Sequence, residues 1–110
     1  MLDKEFVYKV LRVHEWDELQ ETGKFWGSND DKRDGYIHLS KQDQINGVVD
    51  RYFSNESIIY ILAYKASRFS ENHLKWEHSI SIDDYFPHLY KVPLTIADLD
   101  NVKKIVRATT

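Results

Sequence analysis

His38 and Ser40 are the residues whose types and spacing most directly suggest chemistry. His38 lies in a short β-prone segment, residues 35–39, where side chains alternate between two faces. If Ile37 and Leu39 face the core, His38 faces away from it. Ser40 follows at the predicted start of a helix, where free backbone N–H groups attract anions. The pattern allows a histidine that binds a phosphate or polarises a ligand oxygen, or a structural histidine beside a helix cap.

Glu77 is the second residue with the chemistry of a catalytic group. It lies in residues 74–80, where apolar and polar side chains alternate as in a half-buried strand. Glu77 falls on the polar face, so its carboxylate could act as a general base or bind ribose hydroxyl groups. The alternative is a structural role, in which the carboxylate is solvated or pairs with a neighbour such as Lys75.

The aromatic segment Phe86–Tyr90 can serve either the core or a pocket. Aromatic rings in a loop are unfavourably exposed unless they dock on another surface. The segment therefore covers one end of the core, or it forms a cleft wall with His88 at its lip. We expect His38, Glu77 and this segment to converge on one cleft, with His38 partly buried in a concavity. Such a cleft would suit a nucleotide or another aromatic ligand.

Several chemistries have no support in the sequence. The chain has no cysteine, which excludes disulfides, thiolate catalysis and zinc–thiolate sites. Its five histidines lack the HxH, HxxxH and HExxH spacings, so we expect no metal site. No P-loop, GxGxxG or GxSxG motif is present. The net charge of −3 gives no electrostatic reason to expect a nucleic-acid partner. The expected partner is a small molecule or a nucleotide, and the pattern leaves the oligomeric state open.

Composition also bears on the cellular compartment. The absence of cysteine fits a reducing environment, so we expect a cytoplasmic protein. Residues 1–5 have no apolar run behind a basic start, which argues against a signal peptide. The longest apolar run, residues 58–64, is too short to cross a bilayer, so we expect no membrane partner.

The hydrophobic pattern predicts the elements that must position these residues. Apolar runs and alternation predict strands over residues 6–11, 35–39, 57–65, 74–80 and 102–107. Helical spacing predicts helices over residues 14–23 and 40–53, the second with Ser40 as N-cap and Asp43 completing a capping box. Residues 24–34 and 81–91 are expected to be loops, and residues 95–99 a helical turn. Because the helices precede most strands, the order predicts an α+β fold in a single domain, residues 1–110.

Several of these segments together resemble a known family. Gly35-Tyr36-Ile37-His38-Leu39-Ser40, with Gln44 shortly after, is similar to the central signature of the domain of unknown function 952 (DUF952) family. Four further pieces occur in the expected order: Val7-Tyr8-Lys9-Val10, Glu15-Trp16, Trp76-Glu77 and Phe86-Pro87-His88-Leu89-Tyr90. The resemblance covers nearly the whole chain.

The family is small and bacterial, and its pattern is similar to the ADP-ribosyltransferase-like superfamily, which includes RNA 2′-phosphotransferases. The resemblance implies a bent or split mixed β-sheet with two main helices and a cleft of the nicotinamide-dinucleotide type, with NAD as the candidate cofactor. It implies catalytic roles for His38 and Glu77. It also implies a set of cofactor-binding residues: Tyr8, Lys9, Ser40, His88 and Tyr90.

Two positions depart from the family pattern. Lys9 stands where the family often has His, and in the superfamily this first-strand position holds the ribose. Lys91 follows Tyr90 where Gly is usual, which changes the backbone freedom of that segment. Two functions remain open: an enzyme of ADP-ribosyl transfer or related nucleotide processing with its cleft around His38, or a non-catalytic module that binds a nucleotide or small molecule.

Overall fold

The computed structural model describes residues 4–107. Its strands are β1 (Phe6–Leu11), β2 (Lys24–Phe25), β3 (Ile37–His38), β4 (Ile58–Lys65), β5 (Leu74–Ser79), β6 (Asp84–Leu89), β7 (Leu94–Thr95) and β8 (Leu99–Val106). Its helices are α1 (Val13–Thr22), α2 (Asn29–Asp34) and α3 (Ile45–Tyr52), with short 3₁₀ turns at Gln42–Gln44 and Ala66–Arg68. The predicted α+β class is confirmed. Residues 1–3, part of the segment used to argue against a signal peptide, lie outside the described residues.

The strands form three small antiparallel sheets. β4 lies between β1 and β8, β6 lies between β3 and β5, and β2 pairs with β7. Every described strand pairing is antiparallel, so the expectation of a mixed sheet is wrong. The two larger sheets meet at one bridge, where the backbone N–H groups of Tyr8 and Ser40 each donate to the other residue's carbonyl at 2.9 Å.

The hydrophobic core is built around β4, the central strand of its sheet, whereas β1 lies at the edge of that sheet. The apolar run of β4 is buried on both faces, as expected for a strand with a neighbour on each side. The main core cluster combines side chains from both large sheets with α1 and β2; its fully buried members include Val7, Leu19, Phe25, Leu62, Tyr64 and Leu89. A smaller cluster of Val10, Phe53 and Ile59 seats α3 on the β1–β4 sheet. The core therefore leaves the outer face of β3, β6 and β5 available for a site.

The predicted loop over residues 24–34 is wrong, because it contains β2 and α2. Asp31 forms a capping box with Ser28: the Asp31 N–H donates to Ser28 Oγ at 3.1 Å, and the Ser28 N–H donates to Asp31 Oδ2 at 2.9 Å. Gly35 ends the helix at φ 86°, in the left-handed region that favours glycine. The capping box and the terminal glycine were not used in the sequence analysis, because the composition of residues 24–34 is typical of turns.

The predicted N-cap role of Ser40 is also wrong. Ser40 belongs to the bridge with Tyr8, so its backbone is extended into a strand pairing rather than a helix start. The turn begins one residue later, where the Lys41 N–H donates to Gln44 Oε1 at 2.8 Å. α3 then starts at Ile45. The local capping-box pattern at Ser40 therefore does not form, because the Ser40 backbone pairs with Tyr8, which is distant in the chain.

The expected loop over residues 81–91 is wrong, because it contains β6. The expected helical turn over residues 95–99 is also wrong, because Thr95 ends β7 and Leu99 begins β8. Pro87 is unfavourable inside a strand, since proline cannot donate to a β ladder. Its carbonyl accepts from the Leu39 N–H at 3.0 Å. In an antiparallel ladder one residue's N–H and C=O point to the same neighbour, so the missing donor falls beside the end of the two-residue strand β3. The central position therefore tolerates proline.

No helix within residues 4–107 is long and apolar enough to cross a membrane.

Candidate functional site

Three polar side chains form a row across one face of the β3–β6–β5 sheet. His38 pairs directly with His88, and Glu77 pairs with Phe86, one pleat along β6 from His88. The imidazole centroids of His38 and His88 lie 5.6 Å apart at a steep angle. The structure therefore brings His38, Glu77 and the aromatic segment to one face, and places Leu74 and Leu89 on the core side.

A buried carboxylate, Asp31, organises one end of the row. Its Oδ1 lies 2.6 Å from His38 Nδ1 and accepts from the His38 N–H at 3.1 Å. Its Oδ2 accepts from Lys9 Nζ and from the Ser28 N–H, both at 2.9 Å. Burial opposes ionisation, but the His38 hydrogen bond, the Lys9 charge and the Ser28 N–H outweigh it and hold the pKa of Asp31 well below its usual value. Asp31 thus ties α2, β1 and β3 together.

His38 itself is held between two carboxylates. Its Nδ1 faces Asp31, and its Nε2 lies 3.1 Å from Asp34 Oδ2 at the end of α2. Its side chain is 38% exposed. Its backbone carbonyl accepts from Lys9 Nζ at 2.9 Å. Both ring nitrogens are therefore engaged, Nδ1 by a buried carboxylate and Nε2 by a carboxylate nearer the surface.

A second cluster, formed by Glu77, His88, Tyr90 and Tyr36, occupies the other end of the row. Glu77 Oε1 lies 2.9 Å from His88 Nδ1 and accepts from the Tyr90 hydroxyl at 2.5 Å. The Tyr36 ring stacks on the His88 ring, with centroids 4.1 Å apart, and also touches Tyr90. We refer to these four residues as the Glu77 cluster.

The ionisation states in the Glu77 cluster are set by these contacts. The Tyr90 and His88 hydrogen bonds lower the pKa of Glu77 against a smaller opposing effect of burial, so Glu77 is ionised near neutral pH. Burial and the Glu77 carboxylate raise the pKa of Tyr90 to about 12, so it keeps its proton. Burial lowers the pKa of His88, although the Glu77 carboxylate acts in the opposite direction.

A cleft of about 370 Å³ lies between this sheet face, α2 and α3. Of the predicted site residues, Lys9, His38, Ser40 and His88 line it. Tyr8, Glu77 and Tyr90 are not among the lining residues. The backbone of Tyr8 pairs with Ser40, which does line the cleft. Glu77 contacts the lining residue His88, and Tyr90 donates to Glu77.

Three arginines line the same cleft, and they differ in their partners. Arg12 lies near Glu15 and Glu56 and donates to a backbone carbonyl of α3. Arg33 pairs with Asp30 and Asp34 on α2. Within residues 4–107, no carboxylate lies within ion-pair distance of Arg51, whose guanidinium carbon is 5.8 Å from the centre of the Tyr52 ring. Arg51 is therefore the cleft arginine available to an anion.

Two of the organising residues were missed by the sequence analysis. Asp31 was assigned to a loop, and its only local signal was the Ser28–Asp31 capping spacing. Tyr36 was not named as a site residue, and its stacking on His88 depends on a strand pairing with β6. Among the described residues, no group of three or more His, Cys, Asp or Glu is placed to hold a metal ion.

Comparisons with known proteins agree with the observed fold. A crystal structure of protein CC0527 from Caulobacter crescentus is 35% identical to this chain, with a TM-score of 0.82 over 90% of this chain and 84% of that one. A solution NMR structure of the same Caulobacter protein gives a TM-score of 0.76 over 89% and 82% of the two chains. No curated protein matches the chain. The model of a family described as proteins of unknown function, DUF952, matches residues 10–104, and the chain belongs to that family.

Proposed function

We propose that this domain binds a nucleotide, or a small molecule resembling one, in the cleft between α3 and the β3–β6–β5 sheet. The observation that carries the proposal is the mixed character of the cleft wall, where Arg51 and Tyr52 are adjacent on α3. A guanidinium group suits a phosphate, and an aromatic ring suits a base. The Tyr52 residue is 56% exposed, so its ring is open to stacking.

The volume of the cleft limits the size of the ligand that it can hold. Ligand pockets range from about 300 to 1,000 Å³, and a cleft of about 370 Å³ lies near the lower end. A mononucleotide or an ADP-ribose fragment therefore fits more readily than a whole dinucleotide.

Lys9 does not support a direct role in holding NAD. Its ammonium group is buried and donates to Asp31 and to the His38 carbonyl. Its role in this proposal is to hold Asp31, and through Asp31 the His38 side of the cleft.

The proposal is tested by NMR titration of the protein with AMP, ADP-ribose and NAD. We expect saturable shifts of the amide resonances of residues lining the cleft, with AMP or ADP-ribose binding at least as tightly as NAD. Arg51→Ala should weaken AMP binding by about tenfold, since a charge-assisted contact contributes roughly 1.5 kcal/mol. Arg68→Ala is the matched control, because Arg68 is an exposed arginine that does not line the cleft. Absence of saturable binding, or equal weakening by both substitutions, contradicts the proposal.

ADP-ribosyl transfer is a second candidate function, favoured by the ionised carboxylate of Glu77. In such a transfer the bond between ribose C1′ and nicotinamide breaks, its electron pair leaves with nicotinamide, and the oxygen of an acceptor hydroxyl bonds to C1′ while its proton passes to solvent. A carboxylate near C1′ would stabilise the developing positive charge. It stands second because Glu77 does not itself line the cleft and both ring nitrogens of His38 face carboxylates.

The second candidate is tested by incubating the protein with NAD and measuring released nicotinamide. Glu77→Gln should abolish the release, whereas Glu71→Gln, at an exposed glutamate in the turn before β5, should not change it. A wild-type protein that releases no nicotinamide removes this candidate and leaves nucleotide binding standing.

A further inference from the structure

The hydrogen bonds of the Glu77 cluster fix which nitrogen of His88 carries its proton. Glu77 is ionised, so its Oε1 can only accept, and it already accepts from the Tyr90 hydroxyl. The contact between Glu77 Oε1 and His88 Nδ1 is therefore a hydrogen bond only if Nδ1 carries the proton. In the neutral ring the lone pair then resides on Nε2.

The Nε2 atom of His88 is the nitrogen available to a ligand. Among residues 4–107 no hydrogen-bond partner lies against it, while the ring lines the cleft with 14% of the side chain exposed. Burial keeps the pKa of His88 below its usual value, so the ring is neutral near pH 7. Tyr36 stacks on one ring face and restricts its rotation. His88 thus presents an oriented proton acceptor to the cleft.

His38 lacks this property although it sits next to His88. Its Nδ1 is engaged by Asp31 and its Nε2 by Asp34, so a ligand proton meets no vacant lone pair there. His38 and His88 are directly paired across β3 and β6, but only the His88 ring offers a nitrogen lone pair to a ligand.

We infer that His88 is the general base of this cleft and that Glu77 is its positioning residue, for hydrolysis of a phosphoester of a bound nucleotide. The inference rests on the proposed nucleotide binding. In the step, His88 Nε2 takes a proton from water as the water oxygen bonds to phosphorus. The bond from phosphorus to the leaving oxygen breaks, and its electron pair stays on that oxygen. The imidazolium then returns its proton to solvent or to the leaving oxygen, and Glu77 remains a carboxylate throughout.

A phosphoryl group is the electrophile that matches the unpaired charge of Arg51. Arg51 lines the cleft with no carboxylate partner among the described residues, whereas Arg12 and Arg33 are paired with carboxylates. Guanidinium groups hold phosphate oxygens and stabilise the charge that develops on them. No metal is needed for water activation by a histidine.

The pH dependence of this step reflects every titratable group around the His88 ring. These groups are Glu77 and Lys75 on β5, Tyr36 and His38 at β3, Tyr90 after β6, and Asp31 on α2. Glu77 raises the pKa of His88, whereas His38 lowers it. Removing the Glu77 charge should therefore move the titration of His88 to lower pH.

The test uses the p-nitrophenyl ester of thymidine 5′-monophosphate as probe, with EDTA present to remove contaminating metal-dependent activity. We expect wild-type protein to release p-nitrophenolate at a rate that rises with pH and levels off once His88 is neutral. His88→Gln should lower the plateau by at least about 100-fold, within the range for loss of a general base. Glu77→Gln should lower the plateau by about tenfold and shift the midpoint to lower pH. His14→Ala, at an exposed histidine on α1, is the matched control and should match wild type.

Binding of thymidine 5′-monophosphate, measured by NMR, separates the two proposals. Wild-type protein that binds this product but does not cleave the ester overturns the catalytic inference and leaves the binding proposal intact. Protein that does not bind it contradicts the binding proposal itself. Should His88→Gln fail to fold, imidazole ¹⁵N shifts of wild-type protein at pH 7 decide: an Nε2–H tautomer or a protonated His88 ring overturns the inference.

Discussion

Asp31 and Glu77 are both carboxylates bonded to a histidine of the same row, yet they differ in burial. The Asp31 side chain is 2% exposed and uses both oxygens to hold groups from three elements. Glu77 is 43% exposed and, among residues 4–107, bonds the side chains of His88 and Tyr90 on the sheet face. The buried carboxylate fixes where the site residues lie, whereas the half-exposed one orients a histidine whose other nitrogen is available. The proposed chemistry therefore uses the Glu77 end of the row, where a histidine nitrogen has no partner among the described residues.

Removing the buried carboxylate should give the largest effect. Asp31→Ala leaves the Lys9 ammonium group buried without its ion-pair partner, and breaking a buried pair costs about 3–5 kcal/mol of unfolding free energy. Urea denaturation followed by circular dichroism measures this loss.

Asp30→Asn provides the matched control for that substitution. Asp30 is the preceding residue of α2, and its ion pair with Arg33 is exposed, so we expect a change below about 1 kcal/mol. Equal losses of unfolding free energy for the two substitutions would show that the hydrogen bonds and ion pair of Asp31 do not stabilise the fold.

Acid should remove the stabilisation that the Asp31 carboxylate gives to the fold. The pKa of Asp31 is lower in the folded protein than its usual value of 3.8, so its stabilisation is complete well above pH 4 and is lost as the pH falls toward the lowered value. Thermal melts between pH 7 and pH 2 should show a falling midpoint below about pH 4. The same series on Asp31→Asn should be flatter, and parallel curves would contradict the assignment.

Neutralising Glu77 should have the smallest effect on stability. Glu77→Gln keeps an acceptor for Tyr90 and removes a charge that is largely solvated, so we expect a loss below about 1 kcal/mol. Its effect on the titration of His88, followed by NMR, should be larger than its effect on the melting temperature. A stability loss comparable to that of Asp31→Ala would abolish the distinction between the two ends of the row.

The elements that the sequence predicts well are those whose signal is local. β1 follows from a mostly apolar, β-prone segment, β4 from an unbroken apolar run, and α1 from apolar spacing with Gly23 at its end. These features depend on properties of a few neighbouring residues. The shared face of His38 and Glu77 does not, because it requires both strands to pair with β6, which was expected to be a loop.

The features that escape sequence reasoning depend on distant partners. Asp31 is recognisable as a site residue only once Lys9, 22 positions earlier, is seen beside it. Ser40 looks like a helix cap until Tyr8 pairs with it. Pro87 argues against a strand until the structure shows that its missing N–H lies opposite Leu39, just beyond the end of β3. In each case a nonlocal contact overrides a valid local preference.

The bridge between Tyr8 and Ser40 has a consequence for internal motion. It is the described β pairing that joins the two larger sheets, and it consists of two hydrogen bonds beside the cleft. Small opening movements between the sheets must break these two bonds, so the two amides should exchange with deuterium faster than those in the middle of β4. A ligand that contacts both α3 and the β3–β6–β5 sheet would oppose this opening movement and slow the exchange of the two amides. The exchange rates of the two amides would then report occupancy of the cleft without any label on the occupant.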